Sequence, residues 1–250
     1  MPRARAWDDA GGARSVLASS MKQPADPSSS LPAGPPAAPR LVGAVLCGGA
    51  SRRMGRDKAR LELDGRTLLE RALSLLEASC GRVHLCCGPT PRYEELGVPL
   101  LLDAPGESGP LAGVAAALGT LASDEWLVVA PVDLPWLDAR ALARVVERLR
   151  TSDCDVACAR SRGGLEPLVS AWRPTAVGEV RAALLRGERR MVAPFAGWSE
   201  SGRLRLAEVE FDSSGLHRTF DNLNTPLDWR RATMETGGGG AHANGPPVKP

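Results

Sequence analysis

From about residue 40 to residue 235, short apolar runs alternate with longer segments whose apolar residues recur every three or four positions. The apolar runs are typical of β-strands buried on both faces, and the recurring pattern is typical of helices that cover a sheet. The predicted strands are Leu41–Cys47, Arg82–Cys87, Val98–Leu102, Glu125–Ala130, Asp155–Ala159, Leu168–Trp172 and Arg203–Phe211.

Capping and turn residues predict where the intervening helices begin and end. The helical segments are Thr67–Ala78, Leu111–Leu121 after Pro110, a helix from the cap Asp138 through Arg150, a helix from Thr175 to Gly187, and a last helix opened by Thr225-Pro226. Strands that alternate with helices of this length predict an α/β fold with a mainly parallel sheet covered on both faces. Ligands of such sheets bind at the carboxyl ends of the strands.

The two ends of the chain differ from this middle part in composition. Residues 1–39 and 236–250 are rich in Pro, Gly, Ala and Ser. Such segments bury too little apolar surface to offset their ordering entropy, so both are predicted to be disordered tails. Residues 40–235 are then expected to form a single domain.

Charge and cysteine usage narrow the class of protein. The 31 basic and 29 acidic residues leave a net charge of +2, which is too balanced for a general nucleic-acid binder. No apolar run approaches the roughly 20 residues that cross a bilayer, and the N-terminus lacks a secretory signal. All six cysteines lie in or beside apolar segments, which indicates free thiols in a reducing compartment. A cytoplasmic protein without a membrane or nucleic-acid partner is expected.

A glycine-rich basic segment follows the first strand and reads Leu46-Cys47-Gly48-Gly49-Ala50-Ser51-Arg52-Arg53-Met54-Gly55-Arg56-Asp57-Lys58. Its glycines would let backbone N–H groups approach a phosphate, and Arg52, Arg53, Arg56 and Lys58 would neutralise the ligand's charge. The segment is neither a Walker A loop nor a dinucleotide fingerprint. A glycine-rich turn with a solvated basic face is the alternative, and four cations within seven residues argue against it.

Two aspartates follow predicted strands and are candidate ligands of a cation or nucleotide. Asp133 comes after the strongly apolar Glu125–Ala130 strand, and Asp103 comes directly after Val98–Leu102. Reactions at a phosphate commonly use a metal to spread developing negative charge, and Mg²⁺ prefers carboxylate oxygens and water. Either aspartate could instead only form a turn, because each is followed closely by proline.

The basic segment resembles the L-x-G-G-x-S-x-R-M-G-x-D-K signature of the molybdenum cofactor guanylyltransferases, within the nucleotidyltransferase superfamily. Matching segments at Gly109–Gly113 and at Val132-Asp133-Leu134-Pro135 support the resemblance. It implies a three-layer, Rossmann-like nucleotidyltransferase fold, Mg²⁺ held by Asp133, and Lys58 and Asp133 as the catalytic residues. The residues implied to bind GTP are Leu46, Cys47, Gly48, Gly49, Arg53, Lys58, Asp103 and Asp133. Cys47 stands where the family usually has alanine, which a backbone contact tolerates.

The second half of the chain has two further segments similar to the family, and these imply the acceptor-binding residues. Asn222 and Asn224 belong to an N-x-N-T-P element, and Arg189 and Arg190 belong to a Gly-Glu-Arg-Arg-Met segment. The resemblance implies that these four side chains bind the acceptor and its phosphate. Taken alone, the asparagines could serve only turns and the arginines a solvated loop.

The resemblance therefore implies an enzyme that transfers GMP from GTP to molybdopterin and releases pyrophosphate, with possible transient contact to a molybdenum cofactor carrier or a molybdoenzyme chaperone. This interpretation requires Lys58 to lie within reach of a metal at Asp133. Cys86 stands where related enzymes often have an asparagine that contacts the nucleotide, so two alternatives stay open. One is a cytidylyltransferase acting on molybdopterin or on a sugar or polyol phosphate, and the other is a non-catalytic nucleotide-binding subunit.

Overall fold

A computed structural model describes residues 38–48, 56–211 and 218–235 of the chain. The two predicted tails lie outside the described residues, apart from Ala38 and Pro39. Gly49, Arg52 and Arg53 of the basic segment also lie outside them. All described strands and helices belong to one compact unit, which begins at Pro39.

Most of the described strands form one large sheet. In chain order the strands are β1 (Arg40–Leu46), β2 (Glu62–Leu63), β3 (Arg66–Thr67), β4 (Arg82–Gly88), β5 (Leu100–Leu102), β6 (Glu125–Pro131), β7 (Val156–Ser161), β8 (Gly164–Trp172) and β9 (Leu206–Glu210). Seven of them form the sheet in the order β5-β4-β1-β6-β8-β7-β9, and β2 pairs with β3 in a small antiparallel hairpin.

The prediction of a mainly parallel sheet is confirmed, with β8 as the strand that runs against its neighbours. β8 pairs antiparallel with both β6 and β7, whereas the other neighbouring pairs are parallel. The reversal has a local cause. Ser161 pairs with Gly164, so only two residues connect β7 to β8, and a connection this short can join only antiparallel strands. β8 also begins four residues earlier than predicted, at Gly164 instead of Leu168.

Helices cover both faces of the sheet, which confirms the predicted three layers. They are α1 (Leu68–Glu77), α2 (Pro110–Leu118), α3 (Ala139–Thr151), α4 (Val177–Leu185), α5 (Val192–Ser201) and α6 (Pro226–Glu235). Leu76 of α1 and Leu142 of α3 are buried in a core on one face, and Leu111 of α2 and Phe195 of α5 in a core on the other. Each such side chain contributes about 1.5–3 kcal/mol on burial. Among the described residues, no helix is long and apolar enough to cross a bilayer.

The helices predicted from capping residues begin where those residues stand. Thr67 and Glu70 form a reciprocal capping box at the start of α1, and the Asp138 side chain accepts a 2.9 Å hydrogen bond from the Ala141 N–H at the start of α3. These bonds satisfy backbone donors that the helix itself leaves unpaired. The predicted helix from Thr175 differs slightly, because a 3₁₀ turn over Pro174–Ala176 precedes α4.

Helix α5 was not predicted from the sequence. It contains Pro194 and Gly197, which disfavour a helix in most sequence contexts. Proline is tolerated here because Pro194 stands in the first turn, where the missing N–H would have no helical partner. Tertiary packing supplies what local propensity lacks, since Phe195 and Trp198 contact Trp172 edge-on at centroid distances of 5.4 and 6.1 Å.

The Asp155 carboxylate fastens the segment before β9 to the start of β7 and yields a testable prediction. It accepts a bond from the Arg205 backbone N–H at 2.9 Å and two from the Arg205 guanidinium at 3.1 Å. These contacts hold the pKa of Asp155 below its ordinary value. We expect Asp155→Ala to lower the free energy of unfolding at pH 7 by about 1.5–3 kcal/mol, measured by urea denaturation.

The same contacts predict the pH dependence. Because the folded-state pKa is lowered, the stabilisation is present above the unfolded value of about 4 and is lost as the pH falls through the lowered pKa. The difference between wild type and Asp155→Ala should therefore shrink on acidification from pH 5 towards pH 2. Asp124→Ala is the control, since it removes an exposed ion pair with Arg40 that water and salt screen and that should contribute much less. Equal losses in the free energy of unfolding of the two variants would contradict the stabilising role assigned to Asp155.

Candidate active site

Four parallel strands end at the same edge of the sheet, and the predicted site residues follow them. β1 ends at Leu46, β4 at Gly88, β5 at Leu102 and β6 at Pro131. The chain proceeds from β1 to β4 and β5 on one side and then crosses to β6 on the other side of β1. The strand order therefore reverses between β1 and β6, and the crevice at such a point is the usual ligand site of an open α/β sheet.

A three-residue polar cluster occupies this crevice. The ammonium group of Lys58 lies 3.0 Å from Asp133 Oδ2 and 2.7 Å from Asn224 Oδ1. The Lys58 side chain is only 12% exposed and that of Asp133 22%, so water screens their attraction weakly. The backbone N–H of Leu223 also donates to the carbonyl oxygen of Asp133 at 3.1 Å. The end of the basic segment thus lies within reach of Asp133, as the sequence analysis requires.

One oxygen of Asp133 suits a divalent cation. Oδ2 accepts from Lys58, whereas Oδ1 is buried and has no hydrogen-bond partner among the described residues. A buried carboxylate oxygen left without a partner is costly, and a cation would satisfy it. The described residues hold no group of three or more His, Cys, Asp or Glu side chains that could bind a metal by themselves. This arrangement fits Mg²⁺, which commonly binds one or two carboxylates and completes its shell with phosphates and water.

The backbone after β1 turns sharply against the end of β4. The N–H groups of Cys47 and Gly48 both donate to the carbonyl of Cys86, at 3.1 and 2.9 Å. A Cβ on residue 48 would lie 2.9 Å from the backbone nitrogen of Gly88, so the approach requires glycine. Leu46, Cys47 and Gly48 line the crevice, in agreement with a backbone contact to a ligand. Gly49 and Arg53, also predicted to bind GTP, lie outside the described residues.

The crevice widens into a cleft of about 690 Å³, a volume within the usual range for small-molecule sites. Its walls include Lys58, Asp133, Asp103 and Cys86. Burial, and to a lesser extent the neighbouring Glu107 carboxylate, raises the pKa of Asp103 above its ordinary value. A more open groove between α3 and β9, lined by Arg144, Glu147, Glu208 and Glu210 among others, contains none of the predicted site residues.

Cys86 is in the cleft wall but is directed towards the protein interior. It is 2% exposed, and its thiol lies 3.4 Å from the Gly113 carbonyl in α2. Gly113 is needed there, because a Cβ would lie 3.0 Å from both the Cys86 and Leu46 side chains. Burial raises the pKa of the Cys86 thiol to about 12, so the group stays protonated. A neutral, inward-facing thiol offers a nucleotide no replacement for an amide.

The four residues predicted to bind an acceptor are placed differently from one another. Asn222 and Asn224 are both exposed, and Asn224 belongs to the polar cluster through the bond it accepts from Lys58. Arg189 donates to the carbonyl of Leu184 in the last turn of α4 at 2.9 Å, which caps the helix, and to the carbonyl of Glu188 beyond it at 3.0 Å. Arg189 also reaches the cleft wall through its backbone, since its carbonyl would lie 2.6 Å from a Cβ on Gly109. The Arg190 residue is exposed.

The structure adds contacts that the sequence analysis did not predict. Tyr93 and Arg92 follow β4 and bind the carboxylate of Asp57. Glu166 on β8 accepts a 2.7 Å hydrogen bond from Ser161 and is near enough to Asp133 for their charges to interact. Burial is the main cause that raises the pKa of Glu166, and the Asp133 charge adds to it. Little in the sequence pointed to Tyr93. It is the only tyrosine of the chain, which was the one available signal, and it lies in a segment without apolar periodicity.

Comparison with known proteins gives a consistent result. Residues 43–202 match the family model described as the MobA-like NTP transferase domain. A probable molybdenum cofactor guanylyltransferase of Synechococcus elongatus is 35% identical over 195 residues, which cover 74% of this chain and 94% of the relative. One of Opitutus terrae is 39% identical over 172 residues, 68% of this chain and 84% of the relative.

A solved structure shares the fold. The crystal structure of molybdopterin-guanine dinucleotide biosynthesis protein A from Archaeoglobus fulgidus superposes with a TM-score of 0.65 at 26% identity, covering 78% of this chain and 98% of that one. The family match, the relatives and the crevice at the reversal of strand order agree with one another. The chain belongs to the family of MobA-like NTP transferase domains.

Proposed function

We propose that this protein transfers GMP from GTP to the terminal phosphate of molybdopterin and releases pyrophosphate, as a molybdenum cofactor guanylyltransferase. The names of its relatives support the substrates. The contact between Lys58 and Asp133 carries the proposal, because it brings a phosphate-neutralising cation and a candidate metal ligand to one point. The cytoplasm and a reducing environment suit this role, since the six cysteines are all free in the structure.

In this proposal Asp133 holds Mg²⁺ through its unpartnered Oδ1. The ion, when bound, would spread the negative charge that develops as the acceptor phosphate attacks the α-phosphate. Lys58 exchanges its bond to Asp133 for the triphosphate and stabilises the departing pyrophosphate. The backbone at Leu46, Cys47 and Gly48 positions the nucleotide, together with Gly49, Arg53 and Asp103. These residues act by positioning and charge neutralisation, which are the main catalytic contributions in such transfers.

No general base is needed for the acceptor. A phosphate monoester has a second pKa near 6, so most of it is already ionised at neutral pH. On the acceptor side, we propose that Asn222, Asn224, Arg189 and Arg190 bind molybdopterin. Arg189 has donors left after capping α4, because a guanidinium carries five N–H groups. A carrier protein or molybdoenzyme chaperone that exchanges the pterin would approach this same side transiently.

Cys86 stands where related enzymes often have an asparagine that contacts the nucleotide. The choice of base is therefore the part of the proposal that most needs a direct test. We expect purified protein with Mg²⁺ and molybdopterin to release pyrophosphate with GTP and to yield the GMP-linked product by mass spectrometry. CTP, ATP and UTP are the matched controls. Preference for CTP would replace the guanylyl assignment with a cytidylyl one. GTP binding by calorimetry without turnover on molybdopterin or a sugar or polyol phosphate would indicate a non-catalytic subunit.

Asp133→Asn tests the proposed metal ligand. The amide keeps the size of the side chain and an oxygen for Lys58 but removes the charge that binds a divalent cation. We expect the rate of GMP transfer to fall by at least about a hundredfold, with little change in melting temperature. Glu147→Gln, an exposed carboxylate on α3, is the control and should keep its activity. Metal-dependent activity near the wild-type value in Asp133→Asn would remove Asp133 from the mechanism.

Neighbouring substitutions at positions 47 and 48 test the backbone contact. Gly48→Ala introduces a Cβ against Gly88 and must shift the chain after β1, so we expect GTP binding to weaken by about tenfold or more. Cys47→Ala removes only a buried thiol, and GTP affinity should stay within about twofold of wild type. Both are measured by calorimetry. A larger effect at position 47 than at position 48 would mean that the thiol, not the backbone, meets the nucleotide.

A further inference from the structure

Asp57, the residue before Lys58, is held by an unusual number of bonds. One of its oxygens accepts from the Ala59 N–H at 3.1 Å and so caps the short 3₁₀ helix Lys58–Arg60. The Tyr93 hydroxyl lies 3.0 Å from that same oxygen and 2.9 Å from the other, to which Arg92 also donates. These bonds restrict the backbone where Lys58 leaves the basic segment.

Tyr93 is built into the fold in a way that serves this contact. It is 3% exposed, and its backbone is left-handed with φ 67°, a conformation that is unfavourable for a non-glycine residue. The guanidinium carbons of Arg60 and Arg92 lie 5.2 and 4.8 Å from its ring centroid. Burial raises the pKa of the Tyr93 phenol, so the hydroxyl remains a donor to Asp57 at any physiological pH.

The segment that carries Tyr93 touches both ends of the basic segment. At one end Tyr93 and Arg92 bind Asp57. At the other end the Cys87 thiol lies 3.4 Å from the Arg92 carbonyl and 3.7 Å from the Cys47 thiol just after β1. The residues between, 49–55, include Gly49, Arg52 and Arg53, which are among those predicted to contact the phosphates. The end of β4 and the turn after it therefore set the spacing of the two ends.

Lys58 needs such support. A lysine side chain has many rotamers, and confining it to one of them costs conformational entropy. Its contacts with Asp133 and Asn224 form only if the backbone at residue 58 is correctly oriented. Tyr93 does not line the cleft, whereas its partner Asp57 and the following residue Lys58 do, so its hydroxyl can act on the ligand only through neighbouring residues.

We propose that Tyr93 is a positioning residue for the nucleotidyl transfer, which holds Asp57 so that Lys58 meets the triphosphate. The inference rests on the proposed function for its ligand. Its test uses GTP affinity, which does not depend on the acceptor or on turnover.

The experiment is a double-mutant cycle on the full-length protein with Tyr93→Phe and Lys58→Ala, measured as GTP dissociation constants by calorimetry. Tyr93→Phe removes only the hydroxyl and keeps the ring and its two arginine contacts. We expect it to weaken GTP binding by about fivefold or more in the wild-type background and by less than about twofold in the Lys58→Ala background. A general structural defect would weaken both alike.

Two further variants sharpen the result. Asp64, in the neighbouring β2–β3 turn, forms an ion pair with Arg71 of α1 and has a left-handed backbone that asparagine tolerates. Asp64→Asn removes the charge of this pair and should leave GTP affinity unchanged. If Tyr93→Phe fails to fold, Asp57→Asn replaces it, because the amide can still cap the 3₁₀ helix but accepts more weakly from Tyr93 and Arg92. The same dependence on Lys58 is expected.

The outcomes separate the two proposals. If the wild-type protein binds GTP but does not transfer GMP to molybdopterin, the proposed function is overturned. The double-mutant cycle can still be measured in that case, because it uses only GTP affinity. An unchanged affinity in Tyr93→Phe, or an equal loss in both backgrounds, overturns the positioning role. If GMP transfer is observed, kcat should fall with kcat/KM in Tyr93→Phe, because Lys58 is proposed to act on the departing pyrophosphate.

Discussion

The attraction between Lys58 and Asp133 constrains the site, because it joins the segment after β1 to the segment after the neighbouring strand β6. Both side chains are mostly buried, and removing two charges from water costs nearly as much as their attraction returns. Such an ion pair therefore adds little to the free energy of unfolding. It suits a binding site, because both side chains can exchange this contact for a stronger one: Lys58 with a polyphosphate, and Asp133 with the metal that accompanies it.

The fold supplies this pair with rigid supports and leaves the region between them to the ligand. β1 and β6 are paired along seven residues, from Arg40 and Glu125 to Leu46 and Pro131. Their ends therefore cannot separate without breaking the centre of the sheet. The Asp57–Tyr93 contact fixes the residue before Lys58, and the Leu223 N–H fixes the backbone of Asp133. Pre-organised charges of this kind need little rearrangement when the transition state forms.

In the proposed mechanism, charge neutralisation and base selection depend on different parts of the cleft. The former needs Lys58, Asp133 and the end of β1, which agree with the family pattern. The latter involves the end of β4, where Cys86 is buried and bonded to α2. Selectivity for guanine in this protein must then come from backbone groups or from side chains other than residue 86. The same fold can therefore retain the transfer chemistry while its choice of base changes.

Local patterns in the sequence were sufficient for the sheet, most helices and the two key charges. The apolar runs predicted the large strands, and Thr67 and Asp138 predicted helix starts, because periodicity and capping depend on residues close in the chain. The resemblance of the basic segment to the family singled out Lys58, and that of Val132-Asp133-Leu134-Pro135 singled out Asp133, before their contact was known. Helix α5 escaped prediction, since Phe195 and Trp198 form it by packing on Trp172, against local propensity.

Only the tertiary structure decided which side chains meet. The two-residue turn between β7 and β8 reversed one strand of the sheet, and Arg189 proved to cap α4 with part of its guanidinium. Asn224 reaches Lys58 across 166 positions, and Tyr93 reaches Asp57 across 36. Such contacts arise from the register of strands and the path of loops, which are set by the packing of the whole core. No local pattern records them, so the composition of the site was visible in the sequence but its geometry was not.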